Sequence, residues 1–156
     1  FFRDQAYRDV AILTKRADVA ARIGSPALRV QALTAVGDYQ SAVALADKVE
    51  DTDVLRDLAL VWAQTDPQAA LAVVDKIEDS ADKAAALTAI ALRAKDPAVF
   101  ERAMTVAKSV RVRGEPFAAA RALSDLAAAY AAVDAAKANQ AFALAVDVAK
   151  KVNVKH

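Results

Sequence analysis

Apolar residues recur along most of the chain at positions i, i+3, i+4 and i+7, which is the spacing of amphipathic helices. This pattern predicts an all-α fold of about ten short helices, paired into about five antiparallel helical hairpins. The predicted pairs of helices are 4–16 with 18–23, 27–36 with 41–49, 54–65 with 68–77, 82–95 with 98–110, and 117–133 with 136–152. The corresponding units cover about residues 3–24, 27–50, 52–78, 80–110 and 117–152, so residues 1–156 are expected to form a single helical-repeat domain.

A short motif repeats at two junctions between these units. The sequence Asp47-Lys-Val-Glu-Asp51 returns as Asp75-Lys-Ile-Glu-Asp79, 28 positions later, each time after one apolar helix and before another. A fixed period of roughly 20–50 residues is typical of repeat proteins, in which each unit buries its apolar face against its neighbours. The repeat therefore predicts an α-solenoid, which offers a broad surface and no single enclosed pocket.

The turns within the predicted hairpins have a common chemistry. Asp66-Pro67 and Asp96-Pro97 each end one helix and begin the next, because proline disfavours the helical conformation of the preceding residue but fits the first turn of a helix. The aspartate side chain is expected to cap the second helix. The two turns lie 30 residues apart, so each unit is predicted to be a compact helical hairpin.

One of these turns resembles a known repeat. The segment Gly37-Asp-Tyr-Gln-Ser-Ala42, followed by Ala46 and Val49, is similar to the tetratricopeptide turn, in which Gly-Asp-Tyr precedes a small residue of the second helix. Ala70 has the equivalent place in the next unit, and periodic small residues extend the resemblance over most of residues 27–110. Units of 28 to 30 residues are shorter than the usual ~34, and the consensus Trp, Leu-Gly and terminal Pro of the family are missing.

The resemblance implies a right-handed superhelix of stacked hairpins, with a HEAT-like arrangement as the alternative. It also implies that a protein or peptide binds to the face lined by the first helix of each hairpin. Nothing more specific about the partner follows from it.

Alanine and valine dominate the apolar residues, with 42 alanines and 19 valines among 156 residues. Alanine is the strongest helix former, and its small side chain lets helices approach closely, so we expect the whole chain to be ordered. No apolar run approaches the roughly 20 residues that a transmembrane helix needs. We therefore expect a soluble protein, whose compartment the sequence leaves open.

Both ends of the chain carry an expectation of their own. The sequence begins at Phe1 without an initiating methionine, which is typical of a processed product or of a fragment of a longer protein. Its only histidine is His156, and a remnant of a purification tag is one origin we consider for it.

The residues needed for common catalytic chemistry are missing from the sequence. There is no cysteine and no internal histidine, so catalysis of the Ser-His-Asp or Cys-His type lacks its base, and zinc lacks its usual ligands. Gly24, Gly37 and Gly114 are too scattered to form a phosphate-binding loop, and residues 47–53 lack the alternating acids of a calcium loop. We therefore predict no catalytic residues, no metal and no cofactor, and a protein that is not an enzyme.

Charge is segregated along the chain although the net charge is only +1. Residues 36–82 hold eleven acidic and three basic side chains, whereas residues 83–122 hold eight basic and three acidic ones. Since the turns between consecutive units of a solenoid share one edge, the acidic residues near these turns predict an acidic edge. Its members are Asp47, Glu50, Asp51, Asp53, Asp75, Glu78, Asp79 and Asp82. The next such turn is basic, with Lys108, Arg111 and Arg113.

Helix electrostatics explains most of these positions, because acidic residues favour the start of a helix and basic residues favour its end. The functional alternatives are an acidic patch for a basic partner, or head-to-tail association between the acidic region of one copy and the basic region of another. Complementary charge would mainly speed and orient such an encounter.

The exposed face of the first helices is the candidate binding surface. Aligning the units places six polar residues on it, namely Arg29, Arg56, Gln64, Arg93, Arg121 and Asp125. Arg121 and Asp125 are four residues apart on one helix and are expected to pair. Trp62 is predicted to lie in the core. The last helix is predicted to bury a stripe of Ala138, Ala141, Phe142, Ala145, Ala149 and Val152.

We interpret the sequence as a non-enzymatic scaffold that binds a protein or peptide partner. The first alternative is a self-assembling subunit, a homo-oligomer joined by its charge blocks and by apolar residues near its ends. Those residues are Phe1, Phe2, Tyr7, Leu144 and Val146. The second alternative is an RNA-binding repeat that uses the basic turn together with Arg102 and Arg121, and a single basic cluster beside an acidic stretch disfavours nucleic acid.

Overall fold

The computed structural model describes the backbone of residues 2–154 and the side chains of residues 2–152. Phe1 and His156, to which the two expectations about the chain ends refer, lie outside the described residues. Within them the chain forms α1 (Phe2–Thr14), α2 (Ala17–Ala20), α3 (Pro26–Val36), α4 (Tyr39–Ala44), a 3-10 helix (Ala46–Lys48), α5 (Thr52–Ala63), α6 (Pro67–Val74), α7 (Ser80–Ala94), α8 (Pro97–Lys108), α9 (Ala118–Ala131) and α10 (Ala135–Val154). In this part of the chain the only β geometry is an isolated bridge between Val112 and Glu115. The all-α prediction is confirmed.

The chain divides into two compact units, the first ending at Ile77 and the second beginning at Glu78. This boundary falls inside the second copy of the repeated motif, Asp75–Asp79. The first unit holds α1 to α6, and the second unit holds α7 to α10.

In the first unit, each helix that opens a predicted hairpin contacts the helix that follows it, and α3 also contacts α1 and α5. Val30, Leu58 and Ile77 are fully buried in its core. The Asp4 carboxylate accepts hydrogen bonds of 3.0 Å from the backbone N–H groups of Gly24 and Ser25, which ties α1 to the start of α3. These two bonds lower the pKa of Asp4, since they stabilise its charged form.

In the second unit, α9 is the central helix. It contacts α7, α8 and α10, while α7 also contacts α8. Leu87, Ile90, Phe100, Leu123 and Leu126 are fully buried between these helices. Much of the remaining buried surface of α9 is alanine, so three neighbours can pack closely around one helix.

Aspartate caps begin most of the helices. Asp66 and Asp96 accept backbone hydrogen bonds at the starts of α6 and α8, each followed by proline in the first turn. Asp38 caps α4 in the same way. The predicted Asp-Pro turns and their caps are therefore confirmed.

Three predictions about the helices are wrong in detail. The predicted helix 41–49 is not one continuous helix. The α-helix α4 ends at Ala44, and a 3-10 helix at Ala46–Lys48 leads to Val49, which is buried. The predicted helix 18–23 is a single turn, α2. On α10 the side chain of Phe142 is 43% exposed, whereas Ala138, Ala141 and Ala145 are buried. Within the described structure α10 packs on α9, and Phe142 lies outside the buried stripe of alanines.

Left-handed backbone conformations occur just before two of the aspartate caps. Gly37 ends α3 with φ +86° before Asp38, and Lys95 ends α7 with φ +52° before Asp96. Glycine adopts this conformation without steric cost, whereas a residue with a Cβ atom is strained by about 1–2 kcal/mol. The left-handed position before the aspartate cap is therefore held by glycine in the first unit, where it costs little, and by lysine in the second unit, where it is strained.

We predict that Lys95→Gly raises the free energy of unfolding by about 0.5–1 kcal/mol, because relief of the strain exceeds the entropy that glycine adds to the unfolded chain. Lys95→Ala, which keeps the Cβ atom, is the matched control and should give no comparable gain. Urea unfolding followed by circular dichroism measures both values. A lower stability of Lys95→Gly than of Lys95→Ala would contradict the prediction.

Candidate functional site

An open groove of about 570 Å³ lies in the second unit between α7 and α9, which open the two predicted hairpins of that unit. Most of its walls are formed by small apolar side chains. The lining residues are Ala81, Ala84, Ala85, Thr88, Ala89, Leu92, Val112, Glu115, Ala118, Arg121, Ala122, Asp125, Ala128 and Ala129.

The shape of the groove follows from the spacing of its residues. On α7 the positions 81, 85, 88 and 92 share one face, and on α9 the positions 118, 122, 125 and 129 repeat the same spacing. Because most of these side chains are alanine, the two helices contact each other but leave a depression above the contact. Ala85, Ala89 and Ala128 are exposed there, and Leu92 is 40% exposed.

Charge in the groove comes from the loop before α9 and from α9 itself. Arg121 Nη1 lies 3.2 Å from Glu115 Oε2, so the guanidinium pairs with Glu115 and not with Asp125 as the sequence suggested. Asp125 is exposed one turn further along α9. The α9 wall thus presents both signs of charge, while the α7 wall is uncharged.

Aromatic stacking and a hydrogen bond hold α9 in place. The rings of Phe100 and Tyr130 stack with centroids 4.2 Å apart and an angle of 19° between their planes. The Tyr130 hydroxyl donates to Glu101 Oε1 at 3.3 Å, and Lys137 Nζ lies 3.7 Å from the same oxygen, so α8, α9 and α10 meet at this point. Burial, followed by the charge of Glu101, raises the pKa of Tyr130 to about 12.

The six residues predicted to bind a partner are divided between the two units, three in each. Arg121 and Asp125 line the groove, whereas Arg93 follows Leu92 on α7 and is not part of the lining. Most of their neighbours in the groove are alanines, which no pattern of polar residues in the sequence indicates.

The other three of these residues belong to the first unit. Arg29 Nε donates to the carbonyl of Ile23 at 2.7 Å, and Arg56 pairs with Asp53 and Asp57 on its own helix. Gln64 is exposed at the end of α5. Trp62, which was predicted to be in the core, is buried and stacks on Tyr39 with ring centroids 5.6 Å apart.

Several residues of the predicted acidic edge have structural partners. Asp51 and Asp79 cap α5 and α7. Asp47 Oδ1 lies 2.6 Å from Lys76 Nζ, and Asp53 pairs with Arg56 at 3.1 Å. Of the others, Asp75 ends α6 and Asp82 lies in the first turn of α7, while Glu50 and Glu78 are exposed.

The residues of the predicted basic turn do come together. Lys108, Arg111 and Arg113 line a second cleft in the second unit, and the structure adds Lys151 of α10 to them. Lys151 is about 40 positions away along the chain, so no local pattern in the sequence could have joined it to this cluster.

Large apolar side chains are exposed on α1 and on α10. Phe2 and Leu13 are 83% and 84% exposed on α1, and Val146 is 51% exposed on α10. Of the other residues expected to make apolar ends, Tyr7 and Leu144 are half-buried.

No helix among residues 2–154 has the length and apolar character needed to cross a membrane. In the same residues, no three acidic or metal-binding side chains cluster in a way that could hold a metal ion. The chain matches no protein-family model, no curated protein and no solved structure.

The raised pKa of Tyr130 leads to a prediction about stability. A folded-state pKa of about 12, above the ordinary 10.0, means that the stabilisation is complete below pH 10 and is lost as the pH rises from 10 to 12. Tyr130→Phe cannot ionise, so the free energy of unfolding of the wild type should fall relative to that of the variant across this window.

Urea unfolding at several pH values measures the difference. Glu101→Gln removes the neighbouring carboxylate but keeps the tyrosine. Since the charge of Glu101 helps to raise the pKa of Tyr130, this variant should narrow the pH range over which the stability is lost. Parallel curves for the wild type and Tyr130→Phe would contradict the prediction.

Proposed function

We propose that this protein is a non-enzymatic protein-interaction module that binds an apolar segment of a partner protein in the groove between α7 and α9. The observation that carries the proposal is the groove itself, an open depression with an alanine floor and a wall of mixed charge. Such a surface suits binding rather than catalysis, because an open groove excludes little water from a reacting group.

In this proposal the five predicted hairpins stack as an α-solenoid similar to tetratricopeptide or HEAT arrays. Contacts between the hairpins' first helices support it, since α1 contacts α3 and α3 contacts α5 in the first unit, while α7 contacts α9 in the second. Stacked first helices form the face on which such arrays bind their partners. The groove lies on this face within the second unit.

An amphipathic helix is the occupant that fits the groove. The lining of α7 runs from Ala81 to Leu92, a distance of about 16 Å, which matches about three helical turns. Alanine in the floor lets a partner helix approach closely, and the partner's apolar anchors would be spaced at i, i+3, i+4 and i+7. Arg121 and Asp125 on one wall would orient the polar face of that helix.

We predict that filling the groove abolishes binding without unfolding the protein. A displayed library of amphipathic helical peptides is selected against the wild type, and the enriched peptides are then tested on Ala85→Trp. Ala85 is exposed in the groove, so the indole occupies the space of the ligand and we expect affinity to fall at least about tenfold.

Ala143→Trp on α10 is the matched control, since Ala143 is equally an exposed helical alanine but does not line the groove. Circular dichroism should be unchanged for both variants. The proposal is wrong if no peptide is enriched, or if the enriched peptides bind Ala85→Trp as tightly as the control.

Self-association is a second candidate function, favoured by the exposed apolar residues on α1 and α10. Exposed apolar surface of this kind commonly marks an interface between proteins. Phe2, Val10, Ile12 and Leu13 are exposed on α1, and Phe142 and Val146 on α10.

If copies associate through these residues, light scattering on a size-exclusion column should show a multimer that the double variant Leu13→Glu/Val146→Glu converts to a monomer. Association driven by the charge blocks should instead dissociate with added salt. A wild type that is monomeric at both low and high salt would rule out this function.

A further inference from the structure

The loop that joins α8 to α9 has a defined conformation. Residues 112–115 form a tight turn in which Glu115 N donates to the Val112 carbonyl at 3.0 Å, and Gly114 has the left-handed φ of +79° that such turns favour. Arg111 N donates to Ser80 Oγ at 3.2 Å, which ties the loop to the start of α7. The turn thereby holds Arg113 at an exposed tip.

This loop and the C-terminal half of α10 enclose a cleft of about 680 Å³, which we call the basic cleft. Its apolar surface is aliphatic and comes from both sides. The residues that form this surface are Val110, Val112, Pro116, Ala119, Val148 and Val152. Val110 is only 2% exposed and anchors the floor, while Val148 and Val152 are half-buried.

Four cations surround this aliphatic floor, namely Lys108, Arg111, Arg113 and Lys151. Among the described lining residues Glu115 is the only acid, and it already pairs with Arg121. Within the described part of the chain, neither Lys108, Arg113 nor Lys151 forms an ion pair. The cleft therefore has an excess of positive charge that its own side chains do not neutralise.

We propose that the basic cleft binds an acidic peptide segment of a partner protein, with an aliphatic side chain seated on the Val110 floor. Its carboxylates would pair with Arg113 and Lys151 on the two sides of the cleft. Charge complementarity requires a negatively charged ligand. The aliphatic floor requires an apolar side chain between the carboxylates of that ligand.

Two other occupants fit less well. No aromatic side chain occurs among the described lining residues, so nucleic acid would lack the stacking platform that single strands use. A second copy of this chain would offer its acidic segments 47–53 and 75–79, but their aliphatic residues Val49 and Ile77 are buried, and Asp47 and Asp53 have ion-pair partners.

The basic cleft is distinct from the groove between α7 and α9, although Val112 and Glu115 line both. Binding of an acidic segment here does not require that the groove be occupied. A failure of either proposal can therefore be recognised separately from the other.

Fluorescence anisotropy with the full chain tests the proposal. The probe is a labelled peptide of glutamates with a leucine at every third position, and the comparison peptides replace either all glutamates with glutamine or all leucines with alanine. We expect the acidic, leucine-containing peptide to bind at least about tenfold more tightly than either comparison peptide, and its affinity to fall as salt is added.

Variants of α10 and the turn locate the binding. Arg113→Glu/Lys151→Glu should weaken binding at least about tenfold, and Lys151→Gln alone should weaken it less. Lys150→Glu is the matched control, because Lys150 is the neighbouring residue on α10 but does not line the cleft. Ala85→Trp, which fills the groove, should leave binding of this probe unchanged.

The proposal is overturned by any of four results. These are equal binding of the glutamine peptide, equal binding of the alanine peptide, equal effects of Lys150→Glu and Arg113→Glu/Lys151→Glu, and loss of binding in Ala85→Trp. Tighter binding of a labelled oligothymidylate than of the acidic peptide would instead assign the cleft to nucleic acid.

Discussion

Close packing of alanine on α9 is the constraint on which the second unit depends. One helix contacts three neighbours, and its buried face carries alanine at positions 118–120, 127 and 129 between the larger anchors Leu123, Leu126 and Tyr130. Small side chains allow this approach, while the Phe100–Tyr130 stack fixes where α9 sits against α8. The same property produces the groove, because alanines that face α7 above the helix contact leave space that larger residues would fill. The abundance of alanine therefore explains both the close packing around α9 and the candidate binding surface.

Electrostatics has different roles in acidic and basic regions of the chain. Many of the acidic residues serve the fold, since Asp38, Asp51, Asp66, Asp79 and Asp96 cap helices and Asp47 pairs with Lys76. The basic residues of the 109–117 loop have no such general role, and Arg113 is exposed at the tip of a turn. Charge that the fold does not use is available for a partner, which is why the basic cleft is a better candidate site than the acidic edge.

Much of the fold could be predicted from sequence because its signals are local. Helical periodicity and the Asp-Pro turns depend on residues within a few positions of each other, and the structure has helices and caps at these places. The 3-10 helix after α4 and the exposure of Phe142 could not be predicted, since they depend on which neighbouring helix covers each face. The groove could not be predicted for a related reason, because an alanine-rich helix face is typical of a buried core, and only the packing of α7 against α9 leaves part of it exposed. Lys151 joins the basic turn through tertiary packing alone.

We propose above all that the face between α7 and α9 is a protein-binding surface. Nuclear magnetic resonance tests it most directly, by following the backbone amide signals of the full chain while an enriched helical peptide is added. Binding in the groove should shift the amides of Ala85, Thr88 and Ala122 most strongly, together with those of their neighbours on α7 and α9. Shifts concentrated on α1 or on the outer face of α10, with the groove amides unchanged, would contradict it.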